Sequence, residues 1–176
     1  YKLYPEIDFM GEEETASISD GKPYWILDPI DGTTNYIYRY NHSAISLALK
    51  DNSGIAFGVI YNPFIHELFS AIRGEGSYLN DTPIKVNNTV SLDSALVSVG
   101  TSPYHKEMAH SIFSKIEQVY QRALDIRRTG SAALDLAYVA CGRQDAYFEY
   151  ELKPWDYAAG NLILTEAGRS ELEAKL

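Results

Sequence analysis

The segment Tyr24–Asn35 constrains the fold more than any other part of this 176-residue chain. It begins with the apolar run Tyr24-Trp25-Ile26-Leu27 and then passes directly into Asp28-Pro29. A short apolar run that ends at a proline is typical of a buried strand that leads into a loop. We therefore predict a buried strand over residues 24–27, with two carboxylates, Asp28 and Asp31, directly after it.

The rest of the chain predicts an α+β fold whose halves differ. Strands are predicted over 44–49 and 55–61, joined by the hairpin turn Asp51-Asn52-Ser53-Gly54, and 67–72 extends this largely antiparallel meander. The second half predicts two further strands and three helices: strands 95–99 and 146–150, and helices 106–122, 131–140 and 155–167. We place a boundary between two lobes near residues 90–93, which gives lobes 1–92 and 93–176.

Composition limits the partners of the chain. The net charge of −9 argues against a nucleic acid as partner, because proteins that bind one usually display a basic face. An anionic substrate would then need a local positive centre, which a bound metal ion supplies. No apolar run is long enough for a membrane span, no signal peptide is visible, and Cys141 is the only cysteine. We expect a cytoplasmic protein without a membrane or nucleic-acid partner.

The motif Asp28-Pro29-Ile30-Asp31-Gly32-Thr33 is the first candidate for chemistry. Two carboxylates three residues apart can converge on a hard divalent cation, and the Ile30 carbonyl could be a further oxygen ligand for Mg²⁺. Gly32 lets the backbone approach a ligand closely, and a helix that begins near Thr33 would present free amides to a phosphate. The same residues could instead form an Asx turn followed by a helix cap.

Four other acidic residues are candidates for the same site, and each has a simpler explanation. Glu12 and Glu13 lie in the acidic run 11–14, where a cation would relieve repulsion, although such runs are usually solvated surface. Asp156 lies at the start of the last predicted helix, where it could be a metal ligand beside the positive helix end or a helix cap. Glu149 ends a predicted strand and could accept hydrogen bonds from substrate hydroxyls.

A different class of phosphatase is the closest competitor. Haloacid-dehalogenase enzymes carry D-x-D-G-T after a strand and use the first aspartate as a nucleophile, whereas this chain has D-x-x-D-G-T. The extra residue is expected to change how Asp28 and Asp31 are presented. We therefore disfavour a covalent intermediate on Asp28.

The motifs together resemble the inositol monophosphatase family of Mg²⁺-dependent, lithium-sensitive phosphatases. The match covers almost the whole chain in order and spacing, and its central motif is highly specific. The matching segments are Gly11-Glu12-Glu13, Trp25–Asn35, Arg73–Gly76, Arg128–Ala133, Trp155–Gly160 and Glu166–Gly168. The resemblance implies a layered α-β-α-β-α sandwich, as in inositol monophosphatase and fructose-1,6-bisphosphatase.

The resemblance also implies a metal site with two or three Mg²⁺ ions. Its ligands would be four carboxylates and one carbonyl: Glu12, Asp28, the Ile30 carbonyl, Asp31 and Asp156. Glu13 would support this set without touching the metal. The reaction would be direct in-line attack by a metal-activated water molecule on a small phosphate monoester.

Catalytic and substrate-binding roles follow from the same resemblance. Thr33 and Glu12 would orient and help deprotonate the attacking water beside Asp28, and the Gly32 and Thr33 amides would hold the phosphate. The residues that face the alcohol part of the substrate would be Asp31, Ala132, Glu149 and Asp156. Thr33-Thr34-Asn35-Tyr36 indicates the branch that contains the inositol monophosphatases and leaves the substrate open between inositol phosphates, fructose 1,6-bisphosphate and the 2′-phosphate of NADP.

Two features depart from the family pattern. The family begins with two helices, one carrying a further acidic residue, that precede the first residue here, and Arg169-Ser170-Glu171-Leu172 replaces the Gly expected after Gly168. We expect the natural protein to be longer, truncated here at both ends. We also expect a homodimer, which is common in the family.

Overall fold

A computed structural model describes residues 7–13, 18–19, 21–89 and 91–168. Its larger sheet has seven strands in chain order. They are β1 (Asp8–Gly11), β2 (Tyr24–Asp31), β3 (Ala44–Asp51), β4 (Gly54–Asn62), β5 (Glu67–Ile72), β6 (Ser77–Leu79) and β7 (Thr82–Pro83). The predicted hairpin of β3 and β4 and the predicted strand β5 are confirmed. The prediction of an antiparallel meander holds from β2 to β7, but β1 pairs with β2 in parallel.

The predicted end of the first strand at Leu27 is wrong, because β2 continues through Pro29 to Asp31. Asp28 pairs with Ser46 and Asp31 with Ala44, so two residues of β2 lie opposite one residue of β3. This arrangement is a β-bulge, one of the few positions inside a sheet where proline is tolerated. Residues three apart on a regular strand point to opposite faces. The bulge absorbs the extra residue, so Asp28 and Asp31 lie on the same buried face.

Helices, 3-10 turns and a smaller sheet complete the fold. Helix α1 (Thr33–Ile37) begins at the predicted residue, and the predicted helix 106–122 is a 3-10 turn (Lys106–Met108) followed by α2 (Ala109–Tyr120). The remaining elements are a 3-10 turn (Leu92–Ser94), β8 (Leu96–Val99), β9 (Asp125–Arg127), α3 (Ala132–Ala140), β10 (Ala146–Phe148) and α4 (Pro154–Glu166). Strand β9 was not predicted. It pairs in parallel with β8, which also pairs in parallel with β10.

Helices α3 and α4 pack against one face of the large sheet and form the main core with it. Small residues allow this close packing: a Cβ atom on Gly58 of β4 would lie 3.0 Å from the Cα atom of Ala159 in α4. A second core joins α2 to the smaller sheet through Val97, Val99 and Ile112. The described residues thus contain successive β, α, β and α layers, and the predicted α+β sandwich fold is confirmed. The division into lobes at residues 92 and 93 stays a prediction.

The end of α4 is tied to the turn between β5 and β6. The Glu166 carboxylate accepts hydrogen bonds from the Gly74 amide at 2.8 Å and the Gly76 amide at 3.0 Å. One side chain therefore links two of the segments that carry the family resemblance. Within the part of the chain that the structure describes, no helix has the length and apolar character to cross a membrane. The departure predicted at Arg169-Ser170-Glu171-Leu172 lies outside the described residues.

Candidate active site

Three aspartates from two distant parts of the chain converge at the end of β2. Asp28 and Asp31 come from the bulged end of the strand, and Asp156 comes from the first turn of α4. Each offers a carboxylate oxygen, and these oxygens all lie within 4.8 Å of one another. Asp28 and Asp31 are buried, with 2% and 6% of their surfaces exposed. Such close carboxylates form a ready set of oxygen ligands for a divalent cation.

The electrostatics of this cluster favour a bound cation. The pKa of the Asp28 carboxyl is raised to about 7, mainly by burial and to a smaller extent by the charges of Glu12 and Asp156. Burial likewise raises the pKa of Asp156 to about 6 and that of Asp31 well above its usual range. The cause is the same at each position, since a negative charge is unfavourable when it is desolvated beside like charges. A cation would remove this penalty, so the residues fit a metal ion.

Backbone and side-chain donors hold each aspartate in place. The Ile30 amide donates to Asp28 Oδ1 at 2.8 Å, and the Lys153 amide donates to Asp156 Oδ2 at 2.6 Å. Asp156 is therefore also a capping residue, as the sequence allowed, but at the third helical position of a capping box whose N-cap is Lys153. A carboxylate has two oxygens, so capping through one of them leaves the other able to bind a ligand.

The buried Ser131 hydroxyl and the Ala133 amide both donate to Asp31 Oδ2. Ser131 is also the N-cap of α3, where its hydroxyl accepts a hydrogen bond from the Leu134 amide at 3.3 Å. One serine thus joins the start of α3 to the acidic cluster. The sequence places this serine at a helix start but gives no sign of its contact with a residue 100 positions away.

We expect Ser131→Ala to lower the free energy of unfolding by about 1–3 kcal/mol, because the buried Asp31 oxygen and the α3 cap each lose a partner. Chemical denaturation measures this change. Ser131→Thr keeps the hydroxyl and should recover part of the loss. Ser111→Ala, at an exposed position of α2, is the control and should change the stability by less than about 0.5 kcal/mol. An equal effect of the two alanine substitutions would contradict the assigned role.

Glu12 and Glu13 follow β1 on the chain. Glu12 lines the same pocket as the three aspartates, and its charge acts on Asp28 and Asp156. Glu13 is exposed and is not part of the pocket wall. Glu14, which completes the acidic run, lies outside the described residues. The structure therefore brings Glu12 to the cluster, while the supporting role of Glu13 stays a prediction.

The turn after β2 depends on glycine at position 32. Gly32 has φ +84°, and an added Cβ atom would lie 3.1 Å from the Gly130 carbonyl oxygen and 3.2 Å from the His42 carbonyl oxygen. Only glycine fits both the conformation and the space without strain. Thr33 follows as the first residue of α1, and its hydroxyl donates to the Ile30 carbonyl at 3.0 Å. The predicted carbonyl ligand and the predicted catalytic hydroxyl are thus neighbours.

One pocket of about 340 Å³ contains nearly all of the predicted site residues. Its wall includes Glu12, Asp28, Ile30, Asp31, Gly32, Thr33, Ala132, Glu149 and Asp156. The floor is acidic, whereas Arg128, His105 and Lys153 also contribute to the lining. A cavity of this size suits a small ligand. The individual roles of these residues stay predictions.

Sequence reasoning missed several residues of this pocket. Asp135 of α3 is buried, accepts a hydrogen bond from the Thr129 hydroxyl at 2.7 Å, and has its pKa raised by burial to about 6. Gly100 and His105, to which no chemistry was assigned, also line the pocket. An aspartate inside an otherwise apolar helix was the available signal for Asp135. The other two carry no local pattern that would have identified them.

A profile of the inositol monophosphatase family matches residues 1–172. Two curated relatives are similar over most of this chain. Nus factor SuhB of Xylella fastidiosa is 44% identical over 95% of this chain and 60% of its own length. Inositol-1-monophosphatase of Rhizobium meliloti is 41% identical over 99% of this chain and 66% of its own length. The chain therefore spans roughly three fifths to two thirds of the length of these relatives.

Solved structures agree with this comparison. The extragenic suppressor protein SuhB from Bartonella henselae superposes with a TM-score of 0.90 at 40% identity, over 95% of this chain and 64% of that one. Inositol monophosphatase from Anabaena (Nostoc) also superposes with a TM-score of 0.90, at 38% identity, over 95% of this chain and 67% of that one. This chain is therefore similar to these proteins in both fold and sequence.

Proposed function

We propose that this chain, which belongs to the inositol monophosphatase family, carries the active site of a metal-dependent phosphatase. The reaction is hydrolysis of a small phosphate monoester, with an inositol monophosphate as the favoured substrate. The convergence of Asp28, Asp31 and Asp156 is the observation that carries the proposal. An acidic cluster of this kind repels an anionic ester unless bound cations lie between the carboxylates and the phosphate.

The proposed metal ligands are four carboxylates and one backbone carbonyl, suited to two or three Mg²⁺ ions: Glu12, Asp28, the Ile30 carbonyl, Asp31 and Asp156. All of these residues line the same pocket. When bound, the ions supply positive charge that draws in the phosphate, stabilises the transition state and acidifies water.

The chain itself supplies positioning and proton transfer. In this proposal the Thr33 hydroxyl, which donates a hydrogen bond to the Ile30 carbonyl, orients the attacking water. The exposed Glu12 carboxylate is a base that can accept the proton of that water. The amides of Gly32 and Thr33 are donors for the phosphate oxygens. No residue of the chain becomes phosphorylated in this scheme.

The far side of the pocket receives the alcohol part of the ester. The proposed contacts for this part are Asp31, Ala132, Glu149 and Asp156, all of which line the pocket. Fructose 1,6-bisphosphate and NADP are alternative substrates, since both expose hydroxyls beside a phosphate. We further propose that the protein is inhibited by lithium, acts in the cytoplasm and forms a homodimer.

Phosphate release from a panel of esters tests the proposal. We expect the purified protein to hydrolyse inositol 1-phosphate in Mg²⁺ faster than fructose 1,6-bisphosphate or NADP, and to lose activity in chelator or lithium. Activity should depend on Mg²⁺ because the acidic cluster repels the phosphate group when no cation is bound. Activity that survives complete chelation would contradict the metal mechanism. A preference for another ester would change the substrate and leave the mechanism intact.

A non-catalytic binding role is the second candidate. The observation that favours it is the name Nus factor SuhB, which several similar curated relatives carry in place of a phosphatase name. The absence of a nucleic-acid partner, expected from the net charge of −9, therefore stays a prediction. A protein that binds Mg²⁺ and inositol 1-phosphate in calorimetry without releasing phosphate would favour this second role.

A further inference from the structure

The Glu149 carboxylate is held by the chain on both of its oxygens. The Tyr147 hydroxyl donates to Glu149 Oε2 at 2.7 Å, and the Ser102 amide donates to Glu149 Oε1 at 2.9 Å. The donors come from two separate segments: Tyr147 lies on β10, and Ser102 lies in the segment that follows β8. A carboxylate accepts about four hydrogen bonds, so each oxygen keeps a lone pair for a substrate hydroxyl.

The space that Glu149 occupies exists because position 100 is glycine. A Cβ atom on the buried Gly100 would lie 1.9 Å from Glu149 Cδ and 2.1 Å from Glu149 Oε2. The Gly100 amide also donates to the Phe148 carbonyl at 2.9 Å, which continues the pairing between β8 and β10 beyond the strands. The glycine thus lets the carboxylate lie against the backbone at the edge of the pocket.

Tyr147 is suited to act as a permanent donor. Burial raises the pKa of its phenol well above the usual range, and the nearby charge of Glu149 acts in the same direction. The proton therefore stays on the phenol oxygen, and the hydroxyl donates a hydrogen bond to Glu149 Oε2. Tyr147 itself is not part of the pocket wall, so it reaches a ligand only through Glu149.

We propose that Tyr147 and Gly100 are positioning residues that set the preference for polyol phosphate esters by fixing the orientation of Glu149; this inference rests on the proposed function. A polyol phosphate presents hydroxyls beside the ester, and a carboxylate fixed at two points accepts them without first losing rotational freedom. An aryl phosphate has no such hydroxyl. Glu149 therefore improves binding of the first class of ester and has no effect on the second.

The test compares Michaelis constants for inositol 1-phosphate and p-nitrophenyl phosphate in Mg²⁺. We expect Tyr147→Phe and Gly100→Ala each to raise KM for inositol 1-phosphate by about 5- to 10-fold, with kcat changed by less than about 2-fold. For p-nitrophenyl phosphate, both constants should stay within about 2-fold of the starting protein. Alanine at position 100 displaces a flexible side chain, so the fold should tolerate it.

Two controls separate positioning from a general structural effect. Tyr78→Phe removes a hydroxyl that donates to the Glu75 carbonyl away from the site, and it should leave both substrates unaffected. Tyr147→Phe should add nothing further in a Glu149→Ala background, because both changes act through one group. A similar rise in KM for both esters, or additive effects in the double variant, would overturn the inference.

The outcomes for the two proposals are distinct. If the unsubstituted protein cleaves both esters and the ratio of KM values does not move in the variants, the positioning inference fails and the phosphatase function stands. If it cleaves neither ester in Mg²⁺, the proposed function fails and the inference fails with it. A rise in KM for inositol 1-phosphate alone would support both the phosphatase function and the positioning inference.

Discussion

Asp28→Asn is expected to remove Mg²⁺-dependent phosphate release and, at the same time, to stabilise the metal-free protein. Activity should fall by roughly 1,000-fold or more, which corresponds to about 4 kcal/mol of lost transition-state stabilisation. The asparagine oxygen can still accept the hydrogen bond of the Ile30 amide, so the turn itself is retained. Initial rates of phosphate release in saturating Mg²⁺ measure the loss.

The gain in stability follows from the raised pKa of Asp28. Burial raises this pKa to about 7, above the value of about 4 in the unfolded chain, so the metal-free protein loses stability as the pH rises between these two values and bears the full cost above pH 7. A neutral asparagine avoids that cost, and we expect the free energy of unfolding in chelator to rise by about 1–2 kcal/mol near pH 8. The gain should vanish below about pH 3, where the aspartate is protonated in both states.

Asp51→Asn is the matched control for this substitution. Asp51 forms an exposed ion pair with Arg73 at 2.6 Å, and Arg73 lowers the pKa of its carboxyl. Its replacement should leave activity unchanged and slightly lower the stability. The role assigned to Asp28 is contradicted if Asp28→Asn retains more than about a tenth of the activity or destabilises the metal-free protein at high pH.

Mg²⁺ should stabilise the protein strongly at high pH and weakly at low pH. A ligand at about 100 times its dissociation constant stabilises the fold by about 2.7 kcal/mol. Protons compete for the same oxygens, because Asp28 and Asp156 have pKa values raised to about 7 and about 6. Stabilisation should therefore be full above pH 7 and fall steeply as the pH drops through this window.

Thermal unfolding with and without Mg²⁺, at about pH 8 and about pH 5.5, measures the effect. Potassium chloride at equal ionic strength controls for screening. The Asp28→Asn variant should lose most of the response, because it lacks one ligand charge. Equal stabilisation at both pH values would show that Mg²⁺ binds outside the acidic cluster.

The sequence and the structure group the same candidate residues where those residues are close along the chain. Asp28, Ile30 and Asp31 lie within four residues, so their spacing allowed a shared metal ion, with an Asx turn and a helix cap as the alternative. The hairpin of β3 and β4 was predictable for the same reason, since its turn residues lie between two alternating runs. The family resemblance then joined Glu12 and Asp156 to this centre, and the structure places both in the same pocket.

The missed features depend on contacts between distant segments. Ser131 contacts Asp31 across 100 positions, and Gly100 makes room for Glu149 across nearly 50. The bulge in β2 was also missed, because Pro29 reads as the end of a strand unless the partner strand is known. Local pattern carries no information about such pairings, and only the folded backbone determines them.

The bulge has a consequence for how this site can be altered by mutation. Ile30 contributes its backbone amide and carbonyl, and every amino acid except proline carries both groups. No point mutation removes the carbonyl, so a scan of single substitutions would pass over a residue that we propose as a metal ligand. Side-chain ligands such as Asp31, in contrast, can be lost by one base change. Only an edit of the main chain, such as replacing an amide by an ester, would reveal what Ile30 contributes.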